Sequence, residues 1–299
     1  MTVQTVGILS PGEMGHTIGG VLQKNGLRVL THLGGRSGRS QQLAATAKME
    51  DTASLDELVR QAEILLCVLV PARATSVAKE VAAAIERTGA DLLYVDCNAI
   101  APSSVRTAGE TIQAAGGRFA DAGIIGPPPR KSGTTRIYAS GPGAPEFAAL
   151  SDFGLDVRVI GEEIGQASGL KMCYAALTKG LQALGTELLI AARQMGLEET
   201  LRAEQRQSIP DVLAWLEKSV PPMPPKAYRW IGEMEEIALT FSDLGMTPKM
   251  LEGAADMYRF VAETPLGKES PETRDPNRGL DGIAAALADA LPERVAAAD

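Results

Sequence analysis

A glycine-bearing turn follows the first apolar run of the chain, residues 6–9, and leads directly into an amphipathic helical pattern. The unpaired N–H groups at the start of such a helix and the positive end of its dipole attract phosphate groups. Gly12 lets the backbone approach a pyrophosphate and Gly15 lets the helix pack closely on the strand, while Ser10 stands where a first glycine is usual. The spacing predicts a dinucleotide-binding turn formed by Ser10, Pro11, Gly12, Glu13, Met14 and Gly15.

Two arginines and a serine follow the second predicted strand, residues 27–31. Arg36, Ser37 and Arg39 lie where a dinucleotide fold that prefers NAD usually has an acid for the ribose 2'-hydroxyl. A guanidinium group matches the geometry of a phosphate. We therefore expect a 2'-phosphate site and NADP(H) as the cofactor. The alternative is a solvated basic loop that binds nothing.

Lys171 lies in a long helical pattern beside Leu170, Met172 and Cys173, and small residues precede it by one or two turns. Those small residues predict that the helix packs closely on another surface. Because desolvation lowers the pKa of a lysine toward neutrality, a lysine in such a place suits general acid–base catalysis. The alternative is a lysine that extends to solvent from an apolar helix.

Asn98 comes directly after another predicted strand, residues 91–97, at the edge where open α/β sheets bind their ligands. Its side-chain amide both donates and accepts hydrogen bonds, so it can contact a substrate. Capping of the helix that begins near Pro102 explains the asparagine equally well.

A stiff proline-rich loop follows the strand that ends near Ile125. Gly126 and Pro127 open this loop, and Arg130 and Lys131 come after them. The two cations could attract an acidic substrate, although exposed loop charges usually bind nothing specific.

Trp230 and Met234 share one face of a predicted helix in the C-terminal part of the chain. Contact with a substrate and packing in a core both fit this spacing. For Met234 core packing is the favoured explanation.

Histidines are scarce, since His16 and His32 are the only two and both fall in the proposed cofactor region. This argues against a dehydrogenase with a histidine base in a second domain and against a zinc-dependent alcohol dehydrogenase. Tyr174 and Lys179 are one residue too far apart for the tyrosine–lysine pair of short-chain reductases. A lysine or a carboxylate remains as the proton-transfer group.

The composition is that of a globular protein, and 299 residues suffice for two domains. The net charge of -8 argues against a nucleic-acid partner. No signal-peptide pattern and no stretch of roughly 20 apolar residues is present, so we expect a cytoplasmic protein that does not bind a membrane. Metal-ligand spacing is absent too, and Cys67, Cys97 and Cys173 are expected to be buried.

Short apolar runs alternate with helical patterns over the first 160 residues, which predicts a parallel sheet covered on both faces. The expected strands are residues 3–9, 27–31, 63–70, 91–97, 118–125, 134–140 and 156–160. The expected helices lie near residues 13–25, 38–47, 54–60, 73–88, 103–115 and 143–153.

The pattern changes after Gly161, where residues 162–197 form one proline-free helical stretch on the order of 50 Å long. Further helices are expected at residues 198–218 (interrupted near Pro210), 225–243, 247–262 and 280–291, with a loop at 265–279. The chain is thus predicted to have an α/β domain, residues 1–161, and an all-α domain, residues 162–299, joined by a long helix.

Taken together, these motifs resemble the β-hydroxyacid dehydrogenase superfamily, which includes 3-hydroxyisobutyrate dehydrogenases, 6-phosphogluconate dehydrogenases and imine reductases. The resemblance is strongest to the 6-phosphogluconate-dehydrogenase-like branch that has a helical C-terminal domain of unknown function. It covers nearly the whole chain and rests on residues 7–15, 96–102, 121–127, 165–171, 171–176 and 229–238 together with Glu187.

The resemblance implies a Rossmann-type N-terminal domain that binds NADP across residues 10–15 and 36–39. Leu69, Val70, Pro71 and Asn98 would lie beside the nicotinamide. Lys171 matches the catalytic lysine that exchanges a proton with the substrate hydroxyl. The helical domain would form an interlocked homodimer. The substrate side would include Ile125, Gly126, Pro127, Trp230 and Met234.

The chain also departs from the family pattern at several positions. Where the family has an asparagine and a glutamate after its lysine, this chain has Ala175 and Thr178. Ile125 to Pro127 replace the family's serine-glycine-glycine loop, and Asn98 replaces a serine. We expect an NADP(H)-dependent oxidoreductase that interconverts a secondary alcohol and a carbonyl on a small polar, acidic substrate of the hydroxyacid or sugar-acid type. An imine or ketone reductase and a non-catalytic NADP-binding sensor are the alternatives.

Overall fold

An eight-stranded sheet forms the first part of the protein in the computed structural model, which describes residues 3–270 and 272–292. The strands are β1 (Thr5–Leu9), β2 (Arg28–Thr31), β3 (Glu50–Asp51), β4 (Ile64–Cys67), β5 (Leu93–Asp96), β6 (Arg118–Ile125), β7 (Arg136–Ser140) and β8 (Val157–Gly161). They are ordered β3-β2-β1-β4-β5-β6-β7-β8. The first six strands of this order all pair in parallel. Strand β7 is antiparallel to β6, and β8 is parallel to β7.

The central strands are continuous apolar runs because helices cover both faces of the sheet. In β4, Ile64 and Leu66 belong to the hydrophobic core on one face, whereas Leu65 and Cys67 belong to the core on the other. The first core takes side chains from α1 (Glu13–Lys24), α2 (Gly38–Thr46) and α6 (Ala144–Phe147). The second takes them from α3 (Leu55–Gln61), α4 (Ala74–Thr88) and α5 (Pro102–Ala114).

The direction of winding reverses between β1 and β4. In open α/β sheets, this reversal leaves a crevice at the carboxyl ends of the two strands, where ligands bind. The segments that follow β1, β2, β4 and β5 all emerge at this edge. The predicted cofactor residues are therefore on loops of one sheet edge.

Seven further helices follow the sheet in the described residues. They are α7 (Gln166–Gln194), α8 (Glu198–Ser208), α9 (Pro210–Ser219), α10 (Ala227–Asp243), α11 (Lys249–Glu263), α12 (Pro265–Lys268) and α13 (Leu280–Asp289). None of the helices in the described part of the chain has the length and apolar character needed to cross a membrane.

The predicted α/β architecture followed by helices is confirmed, with local corrections. The two-residue strand β3 was not predicted, because Glu50 and Asp51 are exposed and carry no apolar signal. The long helix begins at Gln166 rather than 162, because Gly165 has φ 104°, which a right-handed helix does not allow. Residues 143–153 form only the short α6 and a 3-10 helix, and the predicted loop 265–279 contains α12.

Two compact units make up the chain, Met1–Cys173 and Tyr174–Asp299. They divide within α7, whereas the boundary predicted at Gly161 precedes this helix. The physical reason is that the first turns of α7 are bonded to β6, as described below. The second unit has its own core, in which α10 and α11 bury Met234, Ile237, Leu251 and Tyr258.

Candidate active site at the carboxyl edge of the sheet

The turn after β1 has the geometry that a dinucleotide-binding turn requires. Ser10 adopts a left-handed backbone with φ 67°, a conformation that costs a non-glycine residue roughly 1–2 kcal/mol and that glycine adopts without strain. The Gly12 N–H donates to the Ser10 carbonyl at 2.7 Å. A Cβ on Gly15 would lie 2.5 Å from the same carbonyl oxygen. The serine therefore preserves the turn, and Gly15 is required by close packing.

The start of α1 is open toward the sheet edge. Gly12 precedes α1 without a side-chain cap, and a Cβ built on it would meet nothing within 4 Å. Glu13, the first residue of the helix, forms an ion pair with Arg130 at 3.1 Å. Pro11 is buried and Met14 packs against the core of the sheet. A phosphate group can thus approach the backbone at Gly12 without meeting a side chain there.

The loop after β2 carries the predicted 2'-phosphate residues. The Ser37 hydroxyl caps α2 by accepting from the Ser40 N–H at 3.3 Å, so part of its hydrogen-bonding capacity is used in the fold. Arg36 is half-buried and Arg39 is exposed, both beside the start of this helix. Asp51 of β3 also holds this loop, a role that was not predicted, because its carboxylate accepts from the Leu33 N–H at 2.8 Å.

Asn98 connects the loops that follow β4 and β5. Its Oδ1 accepts from the Leu69 N–H at 2.5 Å, and its Nδ2 donates to the Cys67 sulfur at 3.5 Å. The side chain is only 2% exposed. The capping alternative is wrong, because Ala101 is the residue that precedes α5. Asn98 thus positions the loop that continues into Val70 and Pro71, where Val70 is exposed and Pro71 starts a 3-10 helix.

The cysteines near this edge are chemically inert. Burial raises the pKa of the Cys67 thiol to about 12 and raises the pKa of Cys97 as well, so both thiols stay protonated at neutral pH. Cys173 is exposed, contrary to prediction, because it lies on the face of α7 that is turned away from the sheet.

A buried hydrogen-bond network attaches α7 to β6. Asp121 accepts from the Gly165 N–H at 2.9 Å and from the Ser168 N–H at 3.0 Å, which satisfies two amides at the start of the helix. The Ser168 and Ser140 hydroxyls donate to the same carboxylate at 2.6 and 3.0 Å. Burial raises the pKa of Asp121, while these four hydrogen bonds oppose the rise.

Gly123 lets α7 lie directly on the strand. A Cβ at this position would be 2.6 Å from the Ala167 carbonyl oxygen and 3.0 Å from the Cβ of Lys171. Lys171 is half-buried and is therefore held beside Gly123, two residues before the carboxyl end of β6. The structure brings the predicted catalytic lysine to the same sheet edge as the predicted cofactor turn.

The loop after β6 closes on itself. Ile125 is buried as the last residue of β6, and Gly126 has φ 123°, a conformation suited to glycine. The Thr135 hydroxyl donates to the Pro127 carbonyl at 2.5 Å. The predicted substrate residues here are thus the base of a hairpin loop.

Trp230 and Met234 belong to the second unit. The Trp230 ring packs edge-to-face on Tyr258 with 5.3 Å between centroids, and the Lys179 ammonium lies 5.2 Å from the centre of the indole. Lys179 also pairs with Glu233. Met234 is completely buried, as the core-packing alternative for this residue expects.

Comparison with known proteins agrees with this architecture. Residues 5–151 match the model of the NAD binding domain of 6-phosphogluconate dehydrogenase, and residues 192–261 match a domain of unknown function. The chain is 30% identical to the conserved protein MTH1747, with a TM-score of 0.66 over 87% of this chain and 97% of that one. The MTH1747 structure is described as similar to 3-hydroxyacid dehydrogenases.

The chain belongs to the β-hydroxyacid dehydrogenase superfamily. Within it, the two matched domains are those of the 6-phosphogluconate-dehydrogenase-like branch, so the resemblance inferred from the motifs is confirmed. A 28.5 kDa uncharacterized protein of Methanothermus fervidus is 29% identical over 66% of this chain and 74% of its own length. The 3-hydroxyisobutyrate dehydrogenase of Mycobacterium tuberculosis shares the fold, with 16% identity and a TM-score of 0.69 over 95% of this chain and 99% of that one.

Sequence reasoning missed the supporting residues of this superfamily member. The spacing did not indicate that Asp121 caps α7 or that Ser140 and Ser168 share its carboxylate, because these residues are up to 47 positions apart. Gly123 had a usable signal, since a glycine inside a strand often marks a close backbone approach.

Proposed function

We propose that this protein is an NADP(H)-dependent oxidoreductase that interconverts a secondary alcohol and a carbonyl on a small polar, acidic substrate. The observation that carries this proposal is the place of Lys171, half-buried beside Gly123 near the carboxyl end of β6. Substrates of the hydroxyacid or sugar-acid type fit a member of this superfamily.

In the proposed reaction, bound NADP⁺ would supply the acceptor for the hydride that leaves the carbinol carbon. The Lys171 amine accepts the hydroxyl proton as the carbonyl forms, and in reverse its ammonium group donates that proton. Asn98 keeps the loop at Leu69 in place beside the reacting atoms through its hydrogen bond to the Leu69 N–H. Gly123 and Asp121 keep the lysine in place through α7.

A substrate screen tests this proposal. Alcohols, hydroxyacids and sugar acids are incubated with NADP⁺, and reduction is followed by nicotinamide absorbance. Turnover of a hydroxyl compound supports the proposal. Oxidation of NADPH by cyclic imines, independent of Lys171, would favour an imine reductase, and tight NADP binding without any turnover would favour the sensor alternative.

Replacing Arg36 with alanine is expected to weaken NADP⁺ binding about 10- to 100-fold, the range for a lost charge-assisted hydrogen bond of about 1.5–3 kcal/mol. Binding of NAD⁺ should barely change, because NAD lacks the 2'-phosphate. Calorimetric titration of both dinucleotides measures the difference. Arg60→Ala, an exposed arginine of α3, is the control and should change neither affinity. Equal losses for the two cofactors would contradict the 2'-phosphate assignment.

We also propose that the protein is a homodimer whose helical domains interlock. In the second unit, α7 has apolar residues at alternating spacings of three and four, the pattern of a helix that packs on another helix. These residues are Tyr174, Leu177, Leu181, Leu184, Leu188 and Ala191. Leu177 is 70% exposed and Leu184 57% exposed, which favours their burial by a partner.

The double substitution of Leu177 and Leu184 by glutamate is expected to convert the dimer to a monomer, because two charges would be buried at the interface. Light scattering coupled to gel filtration measures the mass. Leu239→Glu, at a less exposed apolar site on α10, is the matched control and should remain dimeric. A dimer that survives the double substitution would place the interface elsewhere.

A further inference from the structure

A second cleft lies along α1, entirely within the first unit. It has a volume of about 870 Å³, in the range of small-molecule sites. One wall is the outer face of α1, from His16 to Asn25. The other walls are the loop between β6 and β7 and the segment that precedes β8.

Positive charge predominates in this cleft, although the protein as a whole has a net charge of -8. Among the described residues that line it, Lys24, Arg130 and Lys131 are cationic and Asp156 is acidic. Asp156 is already paired with Arg158 at 2.8 Å, which lowers the pKa of its carboxyl and offsets its charge. Arg130 is likewise paired with Glu13, so Lys24 and Lys131 supply the excess positive charge of the lining. The cleft therefore attracts anions.

Part of the cleft lining is apolar. Val21, Ile137 and Leu155 are aliphatic residues among those that line it. An inorganic ion would leave these side chains uncovered, whereas an organic molecule would bury them. A guanidinium fork such as that of Arg130 matches the oxygens of a phosphate group.

We propose that this cleft binds an organic phosphate monoester and that its occupancy weakens dinucleotide binding at the α1 turn. The link between the two sites is the ion pair between Arg130 and Glu13 at 3.1 Å. Glu13 is the first residue of α1, adjacent to Gly12. When a phosphate in the cleft draws Arg130 away, the Glu13 carboxylate is left to repel the pyrophosphate of the dinucleotide.

The expected coupling is modest. Arg130 is 64% exposed in this ion pair, and exposed pairs contribute at most about 1 kcal/mol, so dinucleotide affinity should fall about two- to fivefold. Linkage requires that the dinucleotide weaken phosphate binding by the same factor. This coupling rests on the proposed function, whereas binding in the cleft does not.

Calorimetric titration with phenyl phosphate tests the site. Binding is expected both to the free protein and to protein saturated with NADP⁺, and benzyl alcohol, which lacks the phosphate, should not bind. The double variant Lys24→Glu, Lys131→Glu should lose binding at least tenfold. Lys79→Glu, an exposed lysine of α4, is the control and should bind normally. Undiminished binding to the double variant would overturn the site.

NADP⁺ titrations with and without phenyl phosphate test the coupling. The two- to fivefold loss should disappear in Glu13→Gln, and it should also disappear in Lys131→Glu. A loss that persists in Lys131→Glu would show direct competition at the cofactor turn and would overturn the coupling. Phenyl phosphate binding in a protein that binds no NADP⁺ would support the cleft while contradicting the proposed cofactor.

Discussion

Substitution of Lys171 by alanine is expected to lower kcat by about 10²–10⁴, the usual contribution of a positioned proton-transfer group. The lysine is held beside Gly123 near the carboxyl end of β6, where the substrate hydroxyl would be oxidised. Because hydride loss leaves a carbonyl only if the hydroxyl proton is removed, turnover should fall much more than substrate binding. Steady-state kinetics with a substrate from the screen separates kcat from KM.

Two further measurements distinguish proton transfer from a structural role of Lys171. Added methylamine should restore part of the activity of Lys171→Ala, since a free amine can replace the missing base. Lys171→Arg should remain slow, because a guanidinium does not release its proton at neutral pH. The control is Lys249→Ala, an exposed lysine of α11, with unchanged kcat. Full activity of Lys171→Ala would disprove the proposed mechanism.

Asp121→Asn is expected to reduce the free energy of unfolding by about 3–5 kcal/mol at pH 7. Each buried donor that loses its charged acceptor costs about 1–3 kcal/mol. The carboxylate accepts from two amides at the start of α7 and from two serine hydroxyls. The side-chain oxygen of asparagine can accept only some of these hydrogen bonds, and the asparagine NH₂ group would face other donors. Urea denaturation followed by circular dichroism measures the loss.

The pH dependence of this loss has a defined sign. Burial raises the pKa of Asp121 in the folded protein, so the folded state holds its proton more tightly than the unfolded state. The stabilisation that comes from this tighter proton binding is fully present below the ordinary aspartate pKa. It is lost as the pH rises through the raised pKa of the folded protein. The stability gap between the parent protein and Asp121→Asn should therefore narrow with rising pH.

Asp152→Asn provides the matched control, because Asp152 is exposed in the same unit. Its stability should follow that of the parent protein within about 0.5 kcal/mol at every pH, as is usual for surface substitutions. A gap for Asp121→Asn that widens with rising pH would contradict the assignment of a raised pKa.

Several parts of the site could be predicted because their physical signal is local. Gly12 and Gly15 follow an apolar run at a spacing that suits a strand, a turn and a helix. Alternation of apolar and helical patterns predicted a parallel sheet, and the structure confirms it except at β7, which pairs antiparallel with β6. Pro102 marked a helix start, because a proline at the first position loses no hydrogen bond.

Other features could not be predicted because they depend on contacts between distant segments. The hydrogen bond from the Leu69 N–H to Asn98 joins residues 29 positions apart. Because of it, the asparagine side chain binds the loop after β4 instead of capping α5. Exposure of Cys173 depends on which face of α7 meets β6. Nothing in the composition of residues 50–51 indicates a strand, since β3 forms only by pairing with β2.

By itself, the sequence determined the order of the elements, the glycine-bearing turn and the candidate lysine. These follow from hydrophobic periodicity and from residues whose backbone preferences act within a few positions. Only the tertiary structure decided that Ser10 takes the left-handed conformation in that turn and that Asp121 and Gly123 hold Lys171 at the sheet edge. A carboxylate that caps a helix from a neighbouring strand leaves no periodic trace, because its partners meet only when the chain is folded.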